Sequence, residues 1–130
     1  MLERDTCAAA LGIELVDVGS GRATMRMTVR PDMLNGHGQV HGGLIFTLAD
    51  TAFAVACNSD DEVTVAAAAS IEFLATVGVG AVLVAEAERR HEGRRTGVYD
   101  ITVTEADGAR VALFRGRSHR IGGSVTKAST

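Results

Sequence analysis

A basic surplus, paired cysteines and long apolar runs are all missing from this chain of 130 residues, and each absence excludes a class of function. Lys and Arg number 13 against 16 Asp and Glu, a formal charge of -3 with a pI of 5.8. No overall basic field therefore points to nucleic acid or to an anionic membrane surface. Local pairs such as Arg89-Arg90 and Arg94-Arg95 stay open to a small phosphorylated ligand, which takes only a few cations. Two cysteines, Cys7 and Cys57, offer neither a disulfide framework nor a CxxC metal signature. Nothing approaches the roughly 18 consecutive apolar residues of a spanning helix. Met1–Cys7 lacks the charged-then-apolar pattern of a signal peptide, so the expectation is a cytoplasmic protein. Aromatics are scarce at 4%, and Tyr99, Phe46, Phe53 and Phe73 are read as core residues.

What is present is organised around one stretch. A glycine- and histidine-rich loop, Asn35-Gly-His-Gly-Gln-Val-His-Gly-Gly43, runs into an apolar segment from Leu44 to Cys57. That segment is too long for an ordinary strand and rich in Leu and Ala, so it is expected to be a helix. It is apolar nearly all round, as suits a helix wrapped by other elements. Its polar exceptions, Thr47, Asp50 and Thr51, lie three or four apart and share a stripe. A carboxylate in such a helix must be paired, protonated or used.

The remaining chain reads as cover for that helix. A short amphipathic helix is expected over 2–11, a weak strand over 13–18, and a strand over 22–30 whose Ala23, Met25, Met27 and Val29 alternate with Arg22, Thr24, Arg26 and Thr28. Pro31, the only proline, stops it. Further strands are expected over 63–74, 81–90, 95–104 and 110–120, joined by turns at 75–80, Gly93 and Asp107-Gly108. Across Ala66–Ala69 the alternation is lost. Consecutive strands with short connections are expected to pair antiparallel. One long apolar helix needs a curved sheet to cover it, which makes an α+β fold with the antiparallel sheet wrapped around the helix. Edge-to-edge dimerisation would remove an exposed edge strand. The expectation is one domain over 1–123 and a flexible tail over 124–130.

Chemistry concentrates at the loop-to-helix junction His41-Gly42-Gly43. First-turn N–H groups lack intrahelical partners and carry the positive end of the helix dipole. Glycine lets a ligand approach them, so a free N–H there can hold the developing charge of a carbonyl. Asp50 is the candidate nucleophile or general base. Gly42 and Asp50 are eight residues apart, roughly 12 Å along a helix axis, too far to act on one carbonyl in one chain. Two antiparallel copies about a two-fold axis would bring Gly42 of one subunit near Asp50 of the other. His37, His41 and Asp50 could suggest a metal, but the two histidines sit in a glycine-rich loop without a third ligand at metal spacing; no metal and no cofactor is expected. The Gly38-x3-Gly42 spacing lacks the Gly-Lys-Ser/Thr of a P-loop.

The Asn35–Ala54 stretch resembles the hot-dog-fold acyl-CoA thioesterases, in which a loop ending in His-Gly-Gly enters a buried helix with an acid eight positions after the first glycine. Leu48-Ala-Asp-Thr-Ala-Phe-Ala54, Gly97-Val-Tyr-Asp-Ile101 and Val111-Ala-Leu-Phe-Arg-Gly-Arg-Ser-His-Arg-Ile-Gly-Gly123 look like the PaaI-type thioesterases of phenylacetate degradation. The likeness spans about Leu11 to Gly123. It implies an oxyanion donor at the Gly42 N–H with His41 beside it, Asp50 contributed by the partner subunit, and Asn35 orienting substrate or water. It implies CoA contacts at Gly43, Arg94, Arg95 and His119. Some relatives set a Ser or Thr from the following strand against the water; here Ala66–Ala69 occupies that region, and Thr51, Thr64 and Ser70 are the alternatives, with Thr51 carried as a catalytic candidate. The implied activity is hydrolysis of aryl-acetyl-CoA by a homo-oligomer, a tetramer built from dimers. A hydratase or dehydratase on the same fold and a non-catalytic acyl-CoA-binding module are the rivals.

Overall fold

The computed structural model describes residues 2–124. A short 3-10 turn (Leu2–Arg4) and helix α1 (Thr6–Ala10) lead into strands β1 (Glu14–Gly19) and β2 (Arg22–Thr28). A second 3-10 turn, Pro31–Met33, precedes the loop and helix α2 (Gly42–Cys57). Strands β3 (Glu62–Phe73), β4 (Val82–Glu92), β5 (Thr96–Glu105) and β6 (Arg110–Ser124) follow. They form one antiparallel sheet in the order β1-β2-β4-β5-β6-β3, curved around α2. The first helix divides at Asp5 because its carboxylate accepts the Ala8 N–H at 2.8 Å and caps a new start.

Alternation decides which face meets the helix. Ala23, Met25 and Met27 of β2 are buried, as are Leu83, Ala85 and Ala87 of β4 and Tyr99, Ile101 and Val103 of β5. They close on Ile45, Leu48, Ala49, Ala52 and Phe53 of α2. Gly116 on β6 is required by this packing: a Cβ there would stand 2.5 Å from Cε2 of Phe53. Asn58 ends the helix and ties it to β3, donating to the Ala54 and Thr64 carbonyls and accepting the Thr64 N–H.

Three expectations are corrected. β3 does not pair with β4; it lies at the far edge beside β6, while β4 pairs with β2. The connector between them is no hairpin but crosses at the N-terminal end of α2, held by Val40 N–H on Val77 O (2.8 Å) and Gly80 N–H on Val29 O (2.9 Å). The lost alternation at Ala66–Ala69 is a register shift between Ala66 and Ala68, a bulge on this edge strand. The last strand does not stop at Arg120 but continues to Ser124; the rest of the expected tail lies outside the described residues. Nor is α2 wrapped all round, since the strip holding Gly43, Thr47, Asp50 and Ala54 is only partly covered within one chain.

Candidate active site

The loop before α2 is held in place by its own residues. Asn35 Oδ1 accepts the His37 N–H at 2.9 Å and the Gln39 N–H at 3.2 Å. Since backbone N–H groups only donate, the atom facing them is the amide oxygen, and the NH₂ of Asn35 is left to donate elsewhere. The Asn35 carbonyl accepts the Gly38 N–H at 3.1 Å, and Gly38 takes φ +75, which glycine adopts without strain. A Leu34–Val40 bridge closes the loop. His41 is the N-cap of α2 in an extended conformation; its carbonyl accepts the Leu44 N–H at 2.9 Å while its side chain makes no cap bond. The helix thus begins two residues earlier than its apolar run, with Gly42 and Gly43 as its first residues. No hydrogen-bond acceptor for their N–H groups is found among the described residues.

Asp50 stands a turn from Phe46 and Phe53, whose rings pack on Phe114 with centroids 5.1 and 6.0 Å away. The carboxylate is half-buried and has no hydrogen bond or ion pair among the described residues. Burial first, and the Asp5 carboxylate second, push its pKa above the ordinary carboxylate range. An acid desolvated without a cation is a candidate functional carboxylate. The Thr51 hydroxyl is buried and donates to the Thr47 carbonyl at 2.7 Å, so its proton is already used. Thr51 faces a shallow hollow of about 260 Å³ shared with Leu2, Arg4, Asp5 and Ala54. Thr64 is buried and donates to Glu62 O; Ser70 is exposed on β3 opposite Arg115. Burial pushes the Cys57 thiol up to about 11, which fits an inert core residue.

The basic candidates sit elsewhere. Arg94 and Arg95 lie exposed in the β4–β5 turn without ion pairs among the described residues, and His119 is across from Thr96 and from Val65. That end of the sheet is next to the C-terminus of α2, because Glu62, which starts β3, pairs with Ser124 whereas Phe73 reaches Gly42. Arg94, Arg95 and His119 are therefore about a helix length from Gly42 of the same chain, and one chain does not unite all the candidates. Arg89 and Arg90, by contrast, are spent on Asp60, Glu92, Glu88 and Asp100. A hollow of about 350 Å³ on the outer sheet face, lined by Ser70, Glu72, Asp100 and Arg115 among others, is not lined by Gly42 or Gly43, and its cations are committed to Asp100. Among the described residues no cluster of three or more His, Cys, Asp or Glu could hold a metal, and no helix is long and apolar enough to cross a membrane.

Phe73 departs from the core position expected of it. It is 51% exposed, with its ring edge against Gly42. Tyr99 and Phe53 are buried and Phe46 packs against the core. The apolar composition of β3 hid this, because strand residues at a sheet edge look the same in sequence as central ones.

A curved antiparallel sheet around one helix, entered through a glycine loop with free first-turn N–H groups, defines a hot-dog thioesterase fold. Residues 37–112 match the Thioesterase superfamily. The acyl-coenzyme A thioesterase PaaI of Escherichia coli K12 is 52% identical over 126 residues, covering 97% of this chain and 90% of that protein. Its solved structure superposes with a TM-score of 0.94 over 95% of this chain and 90% of that one. A mutant structure of the phenylacetic acid degradation protein PaaI from Thermus thermophilus is 36% identical, with a TM-score of 0.87 over 90% of this chain and all of that one (100%). A hypothetical thioesterase from Streptococcus pneumoniae TIGR4, solved with coenzyme A, is 28% identical, with a TM-score of 0.82 over 86% and 88% of the two chains. The chain belongs to the thioesterase superfamily, in its PaaI type, and is a thioester hydrolase.

Proposed function

We propose that this protein hydrolyses aryl-acetyl-CoA thioesters, phenylacetyl-CoA or a hydroxylated derivative, to the free acid and CoA, acting as a homo-oligomer without metal or organic cofactor. The observation that carries the reading is the pairing of two free helix N-terminal N–H groups with an unpartnered, desolvated Asp50 roughly 12 Å further along the same helix. The Gly42 N–H, with His41 beside it, receives the thioester oxygen and holds its charge as the carbonyl carbon becomes tetrahedral. Asp50 of a second subunit takes a proton from water; a carboxylate with a raised pKa accepts that proton more readily. The water oxygen bonds to the carbonyl carbon, the C–S bond breaks, and the departing CoA thiolate recovers the proton. The free NH₂ of Asn35 orients substrate or water. Arg94, Arg95 and His119 meet CoA phosphates, with Gly43 backing the ligand. Thr51 contributes by fixing its turn of the helix, and Ala66, which lies across from Ser118, provides no hydroxyl of its own.

The separation of the two halves supports a shared site, and so does the edge. β3 is a 12-residue edge strand with exposed Val65 and a run of exposed alanines, an edge that pairing with a second β3 would cover. A tetramer of two such dimers and a cytoplasmic setting complete the proposal.

Thiol release from phenylacetyl-, 4-hydroxyphenylacetyl-, benzoyl-, acetyl- and long-chain-CoA tests it, with Asp50→Asn in parallel. Asp50-dependent release favouring aryl-acetyl esters supports the reading. No release from any ester overturns it in favour of a binding module, and a gained or lost double bond without free thiol would point to hydration chemistry.

A further inference from the structure

Phe73 is an aromatic residue that the core of the single chain does not enclose. It ends β3, directly across from the fully buried Ala112 of β6. The next N–H, from Leu74, bonds to the Val111 carbonyl at 2.8 Å, so the direction of the residue is fixed by the sheet. A Cβ built on Gly42 would stand 3.2 Å from Phe73 Cζ and 3.4 Å from Cε1. The tip of the ring therefore rests against the first residue of α2, the residue whose N–H is free. Phe73 as a whole is 51% exposed, and the connector that follows it also carries exposed apolar residues, Leu74 (50%) and Val79 (55%). A half-exposed ring contributes less to core burial than an enclosed one. Its ring adjoins Gly42, the residue whose N–H has no acceptor among the described residues.

We infer that Phe73 is the acyl-side wall of the site and sets its preference for flat aromatic acyl groups over short aliphatic ones. The inference rests on the thioesterase reading above. In an aryl-acetyl thioester the ring is one methylene from the carbonyl. When the carbonyl oxygen sits on the Gly42 N–H, that ring falls within reach of Phe73 in the same chain. Offset or edge-to-face contact then adds to the area each ring removes from water. An acetyl group ends before it reaches the wall and gains nothing. Phe73 thus discriminates by what the acyl group carries beyond the carbonyl, while Gly42 handles the carbonyl common to all substrates.

The test is the ratio of kcat/KM for phenylacetyl-CoA to that for acetyl-CoA in wild type, Phe73→Ala, Phe73→Leu and Phe73→Tyr, at one protein concentration and with oligomeric state measured by size-exclusion chromatography. The ratio is expected to fall about tenfold in Phe73→Ala, to fall less in Phe73→Leu, and to be retained in Phe73→Tyr. A ratio that stays at the wild-type value, or equal losses on both esters, overturns the inference, the second outcome meaning that Phe73 only positions the Gly42 loop. If Phe73→Ala alters assembly, Phe73→Leu against Phe73→Tyr decides on the same ratio. Wild type that cleaves neither ester overturns the thioesterase reading itself, whereas wild type that prefers acetyl-CoA overturns this inference and the aryl-acetyl preference proposed above but leaves thioester hydrolysis standing.

Discussion

Gly116→Ala is the substitution whose cost the structure defines most sharply. The new Cβ would lie 2.5, 2.7 and 2.8 Å from Cε2, Cζ and Cδ2 of Phe53, distances that real Cβ atoms do not reach. The ring has no easy retreat, being 1% exposed and hemmed in by Tyr99 at 5.5 Å and Phe114 at 6.0 Å between centroids. Overpacking of this kind costs about 1–3 kcal/mol. At about 2.1 cal/mol/K per residue, 130 residues give an unfolding entropy of about 0.27 kcal/mol/K, so the melting temperature should fall by about 4–11 °C. The assay is thermal unfolding followed by circular dichroism at one fixed protein concentration, because association makes the midpoint concentration-dependent. Phe53→Leu in the same background should recover part of the loss, giving a non-additive pair with about 0.5–3 kcal/mol of coupling. A Gly116→Ala protein melting within about 1 °C of wild type would refute the packing argument. Phe53 is three residues from Asp50, so the variant should also lower kcat.

Three further outcomes are expected. Asp50→Asn should abolish turnover yet raise the melting temperature near neutral pH, because it removes a desolvated charge; the raised pKa means the folded state holds its proton longer than the unfolded one, so wild-type stability should decline as pH rises from the ordinary Asp value through the raised one, and this decline should vanish in the variant, while kcat/KM climbs over the same window as the carboxylate forms. Gly42→Ala, which crowds the N–H and brings a Cβ to 3.2 Å from Phe73, should stay folded and lose up to about 10²–10³ in rate; mixed and re-associated with Asp50→Asn it should regain activity, since hybrid dimers carry one intact site, and failure of the mixture to recover would place both residues in one chain's site. Arg94→Ala combined with Arg95→Ala should raise KM for CoA esters several-fold, weaken inhibition by free CoA, and flatten the salt dependence of KM without changing kcat; an unchanged KM would remove these arginines from the CoA site.

Local signals determined a great deal about this protein. A half-buried strand announces itself by period 2, as at Ala23–Met27, and a hairpin by a residue that accepts positive φ, as at Gly108. The long apolar run ending at Cys57 marked α2, and the glycines before it marked its accessible N–H groups, since those follow from backbone chemistry alone. The eight-residue interval from Gly42 to Asp50 likewise sets a distance, because the rise per residue of a helix is constant. What no local pattern contains is which strand lies beside which. β3 left its sequence neighbour β4 for the edge beside β6, because pairing is settled by how the whole sheet closes on the helix. That single placement left Phe73 on the edge strand with its ring against Gly42. Periodicity and motif follow from contacts a few residues apart and are legible in sequence; edge, neighbour and exposure are properties of the closed sheet, and only the tertiary structure decided them.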